Sequence, residues 1–565
     1  MTGVTPAGSR YAPHVAVGEQ ETQPEAGGRT TVAAESPVRP RDADPLEHGE
    51  RRTLDIVRRF GTVGALLLAV GSLGAGAAPV VNPVQNIPVL RLFIRIPTVS
   101  LAIAFAGMAM MVIGWLLLGR FARPGRNRLA TSGQMSRTLV MWLTPLLFIP
   151  PLFSRDVYAY LAQSEIVHRG MDPYSLGPAD ALGVGDPLTA GVSNMWRETS
   201  PPYGPLYLRF GGWLASISGN NIVTGVLLHR GLALIGVVLI VWALPRLARR
   251  FGVQPVTALW LGAVNPLVLF HLVAGAHNDS LALGLMVAGL ELGLRKLPIR
   301  VKGDTPPPLA PGELRFLILG AVVITLGGAV KFQALVALPF LGVMIARRWH
   351  GRLKDLFRAA VFVTGIGAVV MVVVCLGSGL GFGWVGNMGT PGMVRSWISP
   401  ISELSNLGGL LGMALGLGNH TDALVPILSL LGYLVAAAIT VKFLWDSFQW
   451  RYRPIIGLGV SLGAVSVLHV ALQPWYMLWA VIPLAAAAGT SRFRVAATIV
   501  SVALAFPAFP NGGSYGGRIY VVPQAYLAGA VVVVLALLLA RRAAPGLLRR
   551  GDRTTEKLAE PTAYS

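Results

Sequence analysis

One cysteine, Cys375, stands in a chain of 565 residues, so neither a disulfide nor a cysteine metal site can be built within one chain. Charge is also scarce. Asp, Glu, Lys and Arg make up 13% of the residues, where soluble domains carry about 25%, and this excludes a water-soluble globular enzyme. Lysine occurs only at 296, 302, 331, 354, 442 and 557. No Gly-rich loop with the required lysine offers a phosphate cradle, which disfavours a nucleotide-driven enzyme. An inverted or tandem repeat, as many secondary transporters have, is also missing.

What is present is apolar. Hydrophobic residues are 53% of the chain, and runs of membrane length recur from Phe60 to Ala540. They lie at 60–81, 99–119, 138–153, 221–244, 256–273, 280–294, 316–330, 334–346, 359–376, 423–444, 454–472, 477–489, 495–507 and 525–540. The sequence therefore predicts an all-α polytopic membrane protein with about thirteen to fourteen transmembrane helices. Residues 1–59 read as a disordered cytoplasmic tail, 60–542 as the membrane domain and 543–565 as a second cytoplasmic tail. The net charge of +21 comes in short basic clusters between the runs, at 120–128, 246–250, 295–302, 347–358, 451–453, 492–494 and 541–553. Such clusters mark loops held in the cytoplasm. They offer no basic domain with interleaved aromatics for a nucleic acid. Two long extracytoplasmic loops result, about 154–220 and 377–422, and both termini fall inside.

Polar residues at membrane depth need a partner, a cavity or a function. Four clusters fall at the expected outer ends of helices. The first runs from Ser154-Arg155-Asp156-Val157-Tyr158-Ala159-Tyr160 to Gln163, Glu165, His168 and Asp172-Pro173-Tyr174. There Asp156 is either a general base or the cap of an interfacial amphipathic helix with Tyr158 and Tyr160 as belt aromatics. The second is His277-Asn278-Asp279-Ser280 at a short hairpin tip. Capping explains Asp279 or Ser280, and substrate contact explains His277 as well. The third is Lys331-Phe332-Gln333, whose ammonium suits a phosphate or snorkels to headgroups. The fourth is Gln473-Pro474-Trp475-Tyr476 after His469, a sugar platform or an aromatic belt. Tyr203 sits in the rigid turn Pro202-Tyr203-Gly204-Pro205, and Arg230 lies inside a span, where it needs a phosphate or an acid as partner.

Together these motifs resemble the actinobacterial polyprenol-phosphate-mannose-dependent mannosyltransferases of the glycosyltransferase C superfamily, and within them the α-1,6-mannosyltransferases that build the lipomannan backbone. The resemblance runs from about Arg58 to Arg542. It implies transfer of mannose from polyprenyl phosphomannose to a mannan or lipomannan acceptor, with inversion, at the extracytoplasmic face of a bacterial plasma membrane. It also implies Asp156 as base. Arg155, Arg230, His277, Asn278, Asp279, Lys331 and Gln333 would hold donor phosphate and sugar, and Tyr158, Tyr203, Gln473, Trp475 and Tyr476 the acceptor or sugar. No cofactor is required by this scheme, and the scattered acids give no metal-ligand set. Related enzymes move arabinose or glucose. The rivals from other classes are a flippase for a lipid-linked sugar and a non-catalytic assembly partner.

Overall fold

The computed structural model describes residues 44–124, 126–487, 489–513 and 519–548. The expected tails, 1–59 and 543–565, fall mostly outside them, but helix His48–Ala75 already begins within the first. Each apolar run carries a helix, and the two described β-segments, Asp44–Pro45 and Arg128–Leu129, form only a minimal parallel pair. The all-α membrane architecture expected from the runs is therefore the architecture present.

Six of the described helices are long and apolar enough to cross a membrane by length and composition: His48–Ala75, Pro97–Phe121, Ile222–Arg250, Leu353–Gly377, Thr421–Phe448 and Val521–Ala543. The other apolar runs yield shorter helices, from the 8 residues of Pro255–Gly262 to the 16 of Asp279–Leu294. A perpendicular crossing needs about 20. Chain chemistry ends them early. Thr144-Pro145 turns helix Ser132–Leu143 into a tighter helical stretch. At Asn265-Pro266 the ladder loses a donor, and the Asn265 amide donates to Leu261 O (2.9 Å) and Ser501 Oγ (2.8 Å). A π-helical turn, Val268–Ala274, follows.

The basic loops gather at one end through side-chain bonds to one another's carbonyls. Arg250 donates to Leu297 O (2.6 Å), Arg300 to Arg347 O (2.6 Å) and Arg347 to Tyr452 O (3.0 Å). The helix breaks meet at other places: Leu152 N donates to Ala274 O (3.2 Å), Gly204 N to Val330 O (3.1 Å) and Phe153 N to Pro510 O (3.0 Å).

The expected outer loops contain three longer helices, Asp156–His168, Pro205–Ser218 and Pro400–Ala414, besides two of five residues, Pro178–Leu182 and Pro187–Gly191. The first is not the amphipathic interfacial helix that the sequence allowed, because residues 157 to 167 are all buried. Helix Pro205–Ser218 packs on it so closely that a Cβ on Gly212 would lie 2.7 Å from Val167. Helix Asp279–Leu294 approaches Ile222–Arg250 equally tightly, since a Cβ on Gly284 would lie 2.7 Å from the Gly236 Cα. Small residues that admit such contact are the usual means of helix association in a membrane.

Candidate active site

Asp156 opens its helix at the first position rather than capping it. Arg155 holds the cap position, and Ser154 Oγ accepts from Asp156 N at 3.0 Å. The carboxylate therefore projects from a helix N-terminus, where the macrodipole favours negative charge. It faces the hairpin tip, with Oδ2 lying 3.6 Å from His277 Nδ1. Although the side chain keeps 26% exposure, desolvation in the recess is the largest influence on it and pushes its pKa upward. Ser154 and Lys331 pull the other way, and Asp279 adds to the rise.

Asp279 has a different environment. It is wholly buried, with Oδ2 accepting from Lys331 Nζ at 2.7 Å and Oδ1 from Trp479 Nε1 at 2.8 Å. Burial is the largest influence and works against the Lys331 charge, but Asp279, Tyr476 and Asp156 together outweigh it and raise the pKa, so the ammonium persists. That ammonium also lies 4.9 Å from the centre of the Tyr476 ring. Sequence positions 279, 331, 476 and 479 thus form one charge-balanced group, and Asp156 is the acid left without a cation on it.

Between the two acids lies a cluster of polar atoms without a protein partner. His277 stacks on Trp475 with centroids 3.7 Å apart, and His271 lies 5.3 Å from the same indole. Burial, then Lys331, holds His277 well below its ordinary pKa, so it is a neutral imidazole. Both nitrogens of His271 and of His277, both amide atoms of Asn278 and Trp475 Nε1 are buried without a hydrogen bond. Buried polar groups left unsatisfied cost about 1–3 kcal/mol each. Gathered around the Trp475 indole, these atoms could be partnered by hydroxyl-bearing or anionic matter.

The remaining expected residues divide into two sets. Tyr203 is half-buried beside the site, with its ring 5.2 Å from Tyr160 and 6.0 Å from Tyr207. Gln333 and Gln473 are half-buried at the starts of the short helical turns after Lys331 and before Trp475. Arg155 donates to Gly191 O (3.1 Å) and lies over the Tyr158 ring. Tyr158 itself is buried, with its hydroxyl donating to Ala77 O at 2.6 Å, which leaves no ring face for a sugar. Arg230 departs from expectation most. Among the described residues no acid pairs with it, and its guanidinium donates instead to Leu147 O (2.7 Å), Ile149 O (2.8 Å), Val273 O (3.1 Å) and Ala274 O (3.1 Å). These carbonyls end broken helices, where Val273 O and Ala274 O also accept from Ala276 N and Leu152 N, so Arg230 is a brace.

Sequence reasoning passed over Trp479, His271 and Tyr207, and read Tyr160 only as a belt aromatic. A histidine within the apolar run 256–273 was a usable signal for His271, because it is expensive there. Trp479 follows Trp475 at i+4 spacing and shares its face on a helix. Among the described residues no three His, Cys, Asp or Glu side chains gather as a metal site would require.

The family described as alpha-(1->6)-mannopyranosyltransferase, N-terminal domain, matches residues 58–347, and the MptB C-terminal domain matches 401–538. This chain belongs to the alpha-(1->6)-mannopyranosyltransferase family. A probable alpha-(1->6)-mannopyranosyltransferase of Mycolicibacterium smegmatis is 43% identical to it over 89% of this chain and 91% of its own. An alpha-(1->6)-mannopyranosyltransferase of Mycobacterium tuberculosis is 42% identical, over 88% and 89% respectively. The corresponding B enzyme of Corynebacterium glutamicum is 36% identical, over 90% and 85%. The apo oligosaccharyltransferase of Archaeoglobus fulgidus pairs with 80% of this chain and 56% of its own at 12% identity and a TM-score of 0.33, too loose a match to carry an argument. This membrane protein is a mannosyltransferase.

Proposed function

We propose that this mannosyltransferase transfers mannose from polyprenyl phosphomannose to an α-1,6-mannan or lipomannan-type acceptor, with inversion and with Asp156 as the base. One observation carries the reading. Of the two carboxylates at the recess, Asp279 is spent on Lys331 and Trp479, whereas Asp156 keeps an open carboxylate 3.6 Å from a neutral imidazole. Its raised pKa makes it the stronger proton acceptor once ionised.

In the reaction an acceptor hydroxyl oxygen bonds to the anomeric carbon while its proton passes to Asp156. The bond from that carbon to the phosphate oxygen breaks, and the electron pair leaves on polyprenyl phosphate. A β-linked donor gives an α product. Phosphate needs charge stabilisation more than a proton, and the Lys331 ammonium, 13% exposed, is the cation at the recess. His277, Asn278 and Trp475 offer unpartnered polar atoms to the sugar, and Tyr203, Gln473 and Tyr476 border it. The basic loops on the opposite helix ends support a site on the extracytoplasmic face of the plasma membrane, with both termini in the cytoplasm.

The test is transfer of labelled mannose from polyprenyl phosphomannose to a short α-1,6-mannoside by purified protein. Asp156→Asn is expected to lose about 10²–10⁴ of the rate while remaining folded. Undiminished transfer by a folded Asp156→Asn protein rejects Asp156 as base, and an inactive wild type with this donor rejects the donor.

A further inference from the structure

Every polar group of Tyr174, the last residue of Asp172-Pro173-Tyr174, is engaged. Its N–H donates to Asp172 Oδ1 (2.9 Å), whose other oxygen accepts from Ser175 Oγ (2.9 Å), and its carbonyl accepts from Asn387 Nδ2 (2.8 Å) in the second long loop. Its hydroxyl donates to Tyr203 O at 2.9 Å. The same second loop closes on its root, since a Cβ on Gly383 would lie 2.7 Å from the Tyr174 Cβ. Tyr174 is thus buried between the two long loops, with its hydroxyl aimed at one carbonyl.

That carbonyl shares a peptide unit with Gly204 N, which donates to Val330 O (3.1 Å), next to Lys331. In a planar trans peptide the two groups point in opposite directions, so Tyr174 and Val330 hold the unit from both sides. Pro202 and Pro205 fix their own φ, and Pro205 keeps Gly204 extended, at φ −69° and ψ 158°. Among the described residues no second donor reaches Tyr203 O. The Tyr203 ring meets Tyr160 and Tyr207 edge-on, at 5.2 and 6.0 Å between centroids, and such contacts tolerate a range of separations. Lys331, by contrast, has Asp279 at 2.7 Å to hold it. The place of the Tyr203 ring therefore depends on its own backbone, and the backbone on Tyr174.

We propose that Tyr174 is a positioning residue for mannosyl transfer: backed by Asn387, its hydroxyl sets the 203–204 peptide and through it the Tyr203 ring beside the sugar. This role rests on the reading that Tyr203 borders the sugar. A tyrosine that only fastened the two loops together would act on stability and leave the ring of residue 203 where it is.

The experiment places 3-fluorotyrosine at position 203 of the full chain in detergent and reads its fluorine resonance. A second sample carries the label at Tyr526, which stacks on Phe105 in helix Val521–Ala543, as a control. Tyr174→Phe keeps the ring and removes only the hydroxyl. It is expected to shift or broaden the resonance of residue 203 and not that of residue 526, and to lower kcat/KM for mannosyl transfer about 5-fold, the worth of one hydrogen bond. Asn387→Ala frees the carbonyl end of Tyr174 and is expected to move the same resonance. In a Tyr203→Ala background, Tyr174→Phe is expected to change transfer by less than about 2-fold. A resonance at residue 203 that Tyr174→Phe leaves unmoved overturns the proposal, whatever the donor. So does the full loss persisting in the Tyr203→Ala background, because Tyr174 would then act elsewhere. A moved resonance with transfer at the wild-type rate also overturns it, and faults Tyr203 as the sugar's neighbour. An inactive wild type faults the donor instead and leaves the resonance to decide. Should Tyr174→Phe not fold, Asn387→Ala decides by the same readouts.

Discussion

Removing one partner of the buried pair Asp279–Lys331 has consequences that differ by partner. Lys331→Gln leaves a carboxylate with no exposure and one remaining donor, Trp479 Nε1 at 2.8 Å. Stranding a buried charge in this way costs about 3–5 kcal/mol. Asp279→Asn strands the ammonium instead, but that group is 13% exposed and lies over the Tyr476 face, and the new amide oxygen still accepts from either donor. Its expected cost is about 1–2 kcal/mol, the scale of weakening a charged hydrogen bond to a neutral one. The double variant removes both charges and is expected to regain about half or more of the Lys331→Gln loss, which together with the Asp279→Asn loss is a coupling of roughly 3 kcal/mol or more. Reversible unfolding in mixed micelles with dodecyl sulfate measures all four corners of the cycle. Equal losses in the two single variants, or a double variant that is simply additive, would refute the view that Asp279 is spent on Lys331. The assignment of the base to Asp156 would then lose its main support.

Three other outcomes follow from the same geometry. Because burial raises the folded-state pKa of Asp156, the protonated carboxyl favours folding, and that contribution fades as pH rises through the folded pKa. At neutral pH and above, Asp156→Asn is therefore expected to unfold at a temperature no lower than wild type, while the acid limb of kcat/KM in wild type sits above the usual Asp value of about 3.9. A marked loss of thermal stability in Asp156→Asn would contradict this. Arg230→Met takes the donor from the Leu147 and Ile149 carbonyls and one of the donors from those of Val273 and Ala274 and is expected to cost about 3 kcal/mol; a folded variant with only a raised KM for donor would restore Arg230 as a phosphate ligand. Gly204→Ala would press a Cβ into the Ala329 carbonyl and is expected to cost about 1–3 kcal/mol. Because the Gly204 N bond to Val330 O steadies the turn before Lys331, transfer should fall with it; wild-type unfolding and kinetics would show that the loop is free to shift.

The helices were legible because membrane-length apolar runs require little tertiary context, and even the ends of 222–250 and 421–448 lie within a few residues of the run boundaries. The polar tips were legible for the same reason, since each interrupts such a run. What the sequence could not supply was direction and partner. Tyr158 and Tyr160 share one motif, yet two residues along a helix turn about 200°. One therefore points to Ala77 and the other to Tyr203 and Tyr207. Asp279 and Lys331 were each visible as costly, but 52 positions separate them, and no local rule joins them. Arg230 announced a partner. That the partner was a set of helix-end carbonyls depended on breaks at Pro145 and Pro266, whose geometry is tertiary.

Those breaks connect stability to function. Irregular backbone inside a membrane protein survives only where protein satisfies it, and here the broken segments satisfy one another: 152 bonds 274, 204 bonds 330, and Arg230 spans 147–149 and 273–274. Each segment also carries a polar tip, so the bonds that make the breaks tolerable are the ones that set Asp156, His277 and Lys331 side by side. Two non-glycine residues pay for this with left-handed backbone, Phe153 at φ 65° and Ala276 at φ 54°, at about 1–3 kcal/mol each. Asp156 is outside the network of braces, joined to it only through Ser154. A substitution at Asp156 can therefore remove chemistry and spare the fold, whereas one at Arg230 or Gly204 must disturb both.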